Sequence, residues 1–100
     1  MRYTDAIIEF QKILKTTEDP YVQKLSYSNL GRIYYNQNLF KESLDQFNAA
    51  LILGDDVNYK IWIGKNYLAM GMKDKAKTIL NEALTVNADN EEVKKLLSSL

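Results

Sequence analysis

The chain contains no cysteine, no histidine, one proline and four glycines in 100 residues. Without cysteine there is no disulfide framework and no thiolate, and without histidine the usual proton shuttle is gone; together the two commonest soft metal ligands are missing. Cysteine-free composition is compatible with a reducing compartment, so a cytoplasmic location is the expectation, with a periplasmic or membrane-anchored parent as the alternative for a fragment. Charge of one sign is missing too: thirteen basic side chains stand against thirteen acidic ones. Each half of the chain is separately balanced, which leaves no electrostatic footprint for nucleic acid or an anionic membrane. No apolar run approaches the roughly 18 residues of a membrane span, and no charged leader followed by an apolar core opens the chain.

What is present is a repeated pattern. Leu30, Gly31 and Tyr34 return as Ile63, Gly64 and Tyr67, and Ser43, Phe47 and Ala50 return as Ala76, Leu80 and Ala83, all at a displacement of 33 positions. A fixed displacement of that size, carried by small and apolar residues, marks a repeat array. Within the first copy, Tyr27, Leu30 and Tyr34, then Leu44, Phe47, Ala50 and Leu51, fall at intervals of three and four, so each set makes one stripe on an α-helix. The short breaks at Asn36 to Leu39 and at Met70 to Lys73 make the paired helices antiparallel neighbours. Gly31 and Gly64 lie inside helices, where glycine costs about 1 kcal/mol relative to alanine, so close packing against the second helix is the expected reason for them.

These residues carry a family resemblance. Tyr27-x-x-Leu30-Gly31-x-x-Tyr34 followed by Ser43-x-x-x-Phe47-x-x-Ala50, with Ile63-Gly64-x-x-Tyr67 and Ala76-x-x-x-Leu80-x-x-Ala83 as the second copy, is similar to the tetratricopeptide repeat. Lys60 stands where that pattern has its tryptophan, Ser43 replaces an alanine, and Asp55 and Ala88 stand where proline is usual between repeats. The resemblance implies an all-α fold, an α-solenoid of antiparallel helix pairs wound as a right-handed superhelix.

Taken in order, residues 1–100 read as a single unit. Residues 1–18 carry Ala6, Phe10 and Ile13 in the places of Ser43, Phe47 and Ala50, and read as the second helix of an incomplete repeat, which suggests a fragment; a protein that begins at Met1 with a loose first helix is the alternative. Asp19 is an N-cap with Pro20 as the first helical residue, opening a repeat over 20–54 whose first helix runs to about Asn36. A second repeat spans 56–88, with helices predicted over 39–53, 56–70 and 73–86. Residues 90–100 form a C-terminal capping helix with Val93, Leu96, Leu97 and Leu100 on one face.

Chemistry is sparse. The acidic pairs Asp55-Asp56 and Glu91-Glu92 sit at predicted helix starts, where carboxylates cap free amides. Gly54-Asp55-Asp56 lacks the alternating ligands of a calcium loop, and the glycines are not clustered as in a phosphate cradle. No cofactor or metal is expected, and an enzyme is disfavoured. The resemblance implies instead a concave groove lined by the first helices: Leu25, Ser28, Arg32, Tyr35 and Asn36 from one repeat, Asn58, Ile61, Lys65, Leu68 and Ala69 from the next. Arg32 and Lys65 at equivalent places would together hold a carboxylate from an acidic peptide or a free C-terminus. The clamp by which some family members hold the C-terminus of heat-shock chaperones is not matched, since only Asn29 fits its pattern. Trp62 is expected to pack between helices. A non-catalytic module binding a protein segment is therefore the leading reading, and self-assembly through the terminal helices is the alternative.

Overall fold

The computed structural model describes residues 2–100. Among them run six helices and no strand: α1 (Tyr3–Thr16), α2 (Pro20–Asn36), α3 (Phe40–Leu53), α4 (Val57–Ala69), α5 (Lys73–Val86) and α6 (Glu91–Ser98). Local chemistry sets the starts of three of them. The Asp19 carboxylate accepts from the Tyr21 amide at 2.9 Å with Pro20 as first helical residue, and Asp56 accepts from Asn58 at 2.8 Å. At α6 the cap is Asn90, which accepts from Val93 at 3.0 Å. Glu91 and Glu92 therefore do not cap; they sit in the first turn, where they meet the positive end of the helix dipole. The last helix stops at Ser98, two residues before the predicted end.

The helices pair as α2 with α3 and α4 with α5, and α3 joins the two hairpins by packing on α4. Both hairpins turn the same way. Asn38 (φ 64°) and Gly71 (φ 76°) take the left-handed conformation, which asparagine and glycine tolerate best. Leu39 donates back to the Tyr34 carbonyl at 2.9 Å, and Met72 to the Tyr67 carbonyl at 2.8 Å, the same closure in each copy. The second turn ends at Met72, and α5 begins at Lys73 and ends at Val86, the bounds read from the sequence. The molecule is 19 Å across its thinnest dimension, which fits two layers of helices about 10 Å thick.

The interior repeats as well. A β-carbon placed on Gly31 would lie 2.5 Å from the Phe47 ring, and one placed on Gly64 would lie 2.5 Å from the Leu80 side chain. The missing side chains are thus filled by Phe47 and Leu80, both fully buried. Ser43 and Ala76, and Ala50 and Ala83, are buried completely beside them, small enough to let the paired helices approach. One core gathers Leu44, Phe47, Ala50, Tyr59 and Ile63; a second gathers Ile61, Ala76, Leu80, Ala83 and Val93. α1 packs on α2 but buries no residue fully, and Ile8 stays 44 % exposed.

A buried polar chain crosses the joint between hairpins. Ser43 Oγ donates to the Gly31 carbonyl at 2.7 Å, and Asn66 Nδ2 donates to Ser43 Oγ at 3.0 Å and to the Trp62 carbonyl at 3.1 Å. The direction is fixed, because the one Ser43 proton is committed to Gly31 and its oxygen can then only accept. Asn66 Oδ1 has no partner. Ser43→Ala is therefore expected to cost about 1–2 kcal/mol, since it removes the acceptor from a buried amide. The same change in an Asn66→Leu background should cost less, and urea unfolding of the four forms measures that coupling.

Candidate functional site

The first helices of the two hairpins, α2 and α4, enclose a cleft of about 410 Å³ lined by Leu25, Ser28, Arg32, Phe47, Asp56, Asn58, Tyr59 and Trp62. Four of the residues assigned to a groove from the sequence, Leu25, Ser28, Arg32 and Asn58, meet there. Arg32 is exposed, makes no ion pair among the described residues, and also lines a neighbouring cleft between α1 and α2 with Asn36. Asp56, the one carboxylate in the first cleft, is occupied in capping α4, where the helix dipole offsets its charge. Arg32 is the cleft's one cation.

The aromatic wall is built across three helices. Trp62 stacks on Phe47, ring centroids 5.3 Å apart and planes 6° from parallel, and Tyr35 meets Trp62 edge-on at 5.2 Å. Tyr35 also meets Phe40 edge-on at 5.3 Å, so its ring braces Trp62 and is not among the residues that line the cleft. Trp62 does pack between helices, as expected, and in addition lines the cleft.

Four of the assigned groove residues are placed otherwise. Ile61 is 4 % exposed and belongs to the core with Leu80 and Val93, so it offers no surface to a ligand. Leu68 packs against the same core, and Lys65 is already engaged: its Nζ lies 2.6 Å from Glu92 Oε2 and 4.6 Å from the centre of the Trp62 ring. Arg32 and Lys65 are therefore not an equivalent pair of open cations. Ala69 is exposed at the last position of α4, away from the cleft lining.

Residues 57–90 match the tetratricopeptide repeat family model. They are a tetratricopeptide repeat. The hairpin of α2 and α3 has a glycine at the equivalent contact, the same turn closure and small residues at the same interface positions, so the all-helical architecture is that of this repeat used in tandem. Tetratricopeptide repeats are generally non-catalytic scaffolds for protein interaction. No curated protein matches the chain significantly. No helix among the described residues is long and apolar enough to cross a membrane.

The tetratricopeptide pattern has its tryptophan at the place of Lys60. Here that lysine is 14 % exposed and its Nζ reaches Asp55 at 3.6 Å and Glu82 at 3.9 Å, tying the α3–α4 loop to α5. The indole comes instead from Trp62, half a turn on, which turns it toward α2. A second cleft of about 430 Å³, lined by Asn48, Ile63, Tyr67, Lys75 and Ile79 among others, lies between α3 and α5. Nothing in the sequence pattern marks it, because Asn48, Lys75 and Ile79 lie on second helices, which the family pattern assigns to packing, and Ile63 and Tyr67 of α4 read as core positions.

Proposed function

We propose that the cleft between α2 and α4 holds a segment of a partner protein, with an acidic side chain or C-terminal carboxylate on Arg32 and apolar groups against Trp62 and Leu25. The observation that carries this reading is the exposed Arg32 guanidinium, without an ion pair among the described residues, beside a stacked aromatic wall. Guanidinium and carboxylate match as two parallel charge-assisted bonds, and an indole at the wall gives a rigid apolar anchor at small entropic cost. Ser28 and Asn58 add polar groups at the rim that suit a peptide backbone. Ser28 Oγ donates to the Leu25 carbonyl of its own helix at 2.9 Å and retains accepting capacity.

The test uses a short fluorescein-labelled peptide rich in glutamate and ending in a free carboxylate, beside its glutamine-substituted, amidated counterpart. The acidic peptide should bind more tightly, and the difference should shrink at high salt as exposed charges are screened. Arg32→Gln should weaken the acidic peptide about tenfold, the loss of one good charged contact, and leave the neutral one and the far-ultraviolet circular dichroism unchanged. Equal binding by the wild type and the variant would remove the groove from consideration.

A further inference from the structure

The contact between α6 and the groove bears on which of its two basic positions a partner meets. Lys65 is the repeat equivalent of Arg32, and its surroundings differ at one point. Glu92, from the first turn of α6, places Oε2 2.6 Å from Lys65 Nζ, while Trp62 holds the same ammonium over its ring at 4.6 Å. The residue as far beyond Arg32 as Glu92 is beyond Lys65 is Tyr59, a buried aromatic on α4. The helix that follows the hairpin of Lys65, α6, thus supplies a carboxylate at this position, and the helix that follows the hairpin of Arg32, α4, has Tyr59 there. α6 is held in place by its own docking: Val93, next to Glu92, is fully buried in the core with Ile61, Ala76, Leu80 and Ala83, and Asn90 fixes the start of the helix. The Lys65 side chain is 23 % exposed, so the pair is shielded more than a free surface pair, and an incoming anion would have to displace an attached, pre-positioned carboxylate.

We infer that Glu92 is a built-in carboxylate that closes Lys65 to outside anions, leaving Arg32 as the groove's single ionic anchor and fixing where along the groove a partner's acidic group sits. The second half rests on the groove reading above; the first half does not. A partner recognised this way carries one acidic group at the Arg32 step and needs none at the Lys65 step, where a carboxylate would face Glu92 and be repelled.

Trp62 is the chain's one tryptophan and lies beside both cations, so its quenching reports on them without any partner. The full chain is titrated with potassium iodide at constant ionic strength and, separately, with neutral acrylamide; the ratio of the two quenching constants measures how strongly local charge gathers the anion. Glu92→Gln should raise that ratio about twofold by opening Lys65, and Lys65→Gln/Glu92→Gln should return it to the wild-type value. Arg32→Gln should lower it. A ratio unchanged by Glu92→Gln would overturn the inference. In the second arm the labelled acidic peptide should bind Glu92→Gln about threefold more tightly than the wild type, while Arg32→Gln remains the most damaging change. Peptide binding that depends equally on Arg32 and Lys65 in the wild type would also overturn it. A peptide that binds no form removes the groove reading, and the iodide ratios still decide whether Glu92 closes Lys65.

Discussion

Replacing Phe47 by alanine is expected to destabilise the protein by about 3–5 kcal/mol, a large part of the roughly 5–15 kcal/mol that folded domains possess. The ring is fully buried, fills the space above Gly31, stacks on Trp62 at 5.3 Å and lies 6.2 Å from Tyr59. Its removal opens a hole bounded by three helices, and Gly31 has no side chain that could move in to close it. Leu80→Ala makes the corresponding hole in the second hairpin. It should cost about 2–5 kcal/mol, without the stacking that Phe47 makes across to α4. Because repeats are stabilised by nearest-neighbour contacts, Phe47→Ala should also uncouple the first hairpin from the second and broaden the urea transition, whereas Leu80→Ala should leave the first hairpin's joint intact. A loss below about 2 kcal/mol for Phe47→Ala would show that the hole collapses and that the stack is looser than these distances imply.

Much of this architecture can be read directly from the chain, for a physical reason. A hairpin that buries its faces on copies of itself must present the same small and large residues at the same heights, so Gly31 with Phe47 and Gly64 with Leu80 appear as a periodic signal. Caps and turns obey local chemistry, which is why the starts at Pro20 and Val57 follow from Asp19 and Asp56. The site is less legible because its state depends on contacts that do not repeat. Ser28 and Ile61 occupy equivalent positions, yet one lines the cleft and the other is buried with Val93. Arg32 and Lys65 are equivalent too, and only the distance between Lys65 and a glutamate on α6 separates an open cation from a closed one. Trp62 reads as a packing residue because aromatic residues at helical spacing usually fill cores; its second role follows from stacking flat on Phe47 while meeting Tyr35 of α2 edge-on. The Asn66–Ser43 chain left no trace in the pattern, since an asparagine inside a helix reads as a solvated residue until a buried acceptor is found opposite it.

The two helical glycines give a prediction that separates packing from function. Each should lose stability on conversion to alanine, by about 1–3 kcal/mol from overpacking, partly offset by alanine's better helix propensity. The clashes are of different kinds. At Gly31 the new carbon would meet three atoms of the Phe47 ring at 2.5, 2.7 and 2.9 Å, and the ring is pinned between Gly31 and Trp62, so relief must pass through the aromatic wall of the cleft. At Gly64 it would meet Leu80 at 2.5 and 2.6 Å, inside a core that holds neither Trp62 nor Arg32. Gly31→Ala should therefore shift the Trp62 emission and weaken the acidic peptide, and Gly64→Ala should do neither at a comparable loss of stability. Combining Gly31→Ala with Phe47→Leu, which shortens the obstructing side chain, should recover part of the loss, whereas the same leucine alone destabilises; that sign reversal identifies the ring as the obstacle. If Gly31→Ala and Gly64→Ala disturb Trp62 equally, the wall responds to the stack as a whole and the cleft is not set by the Gly31–Phe47 contact.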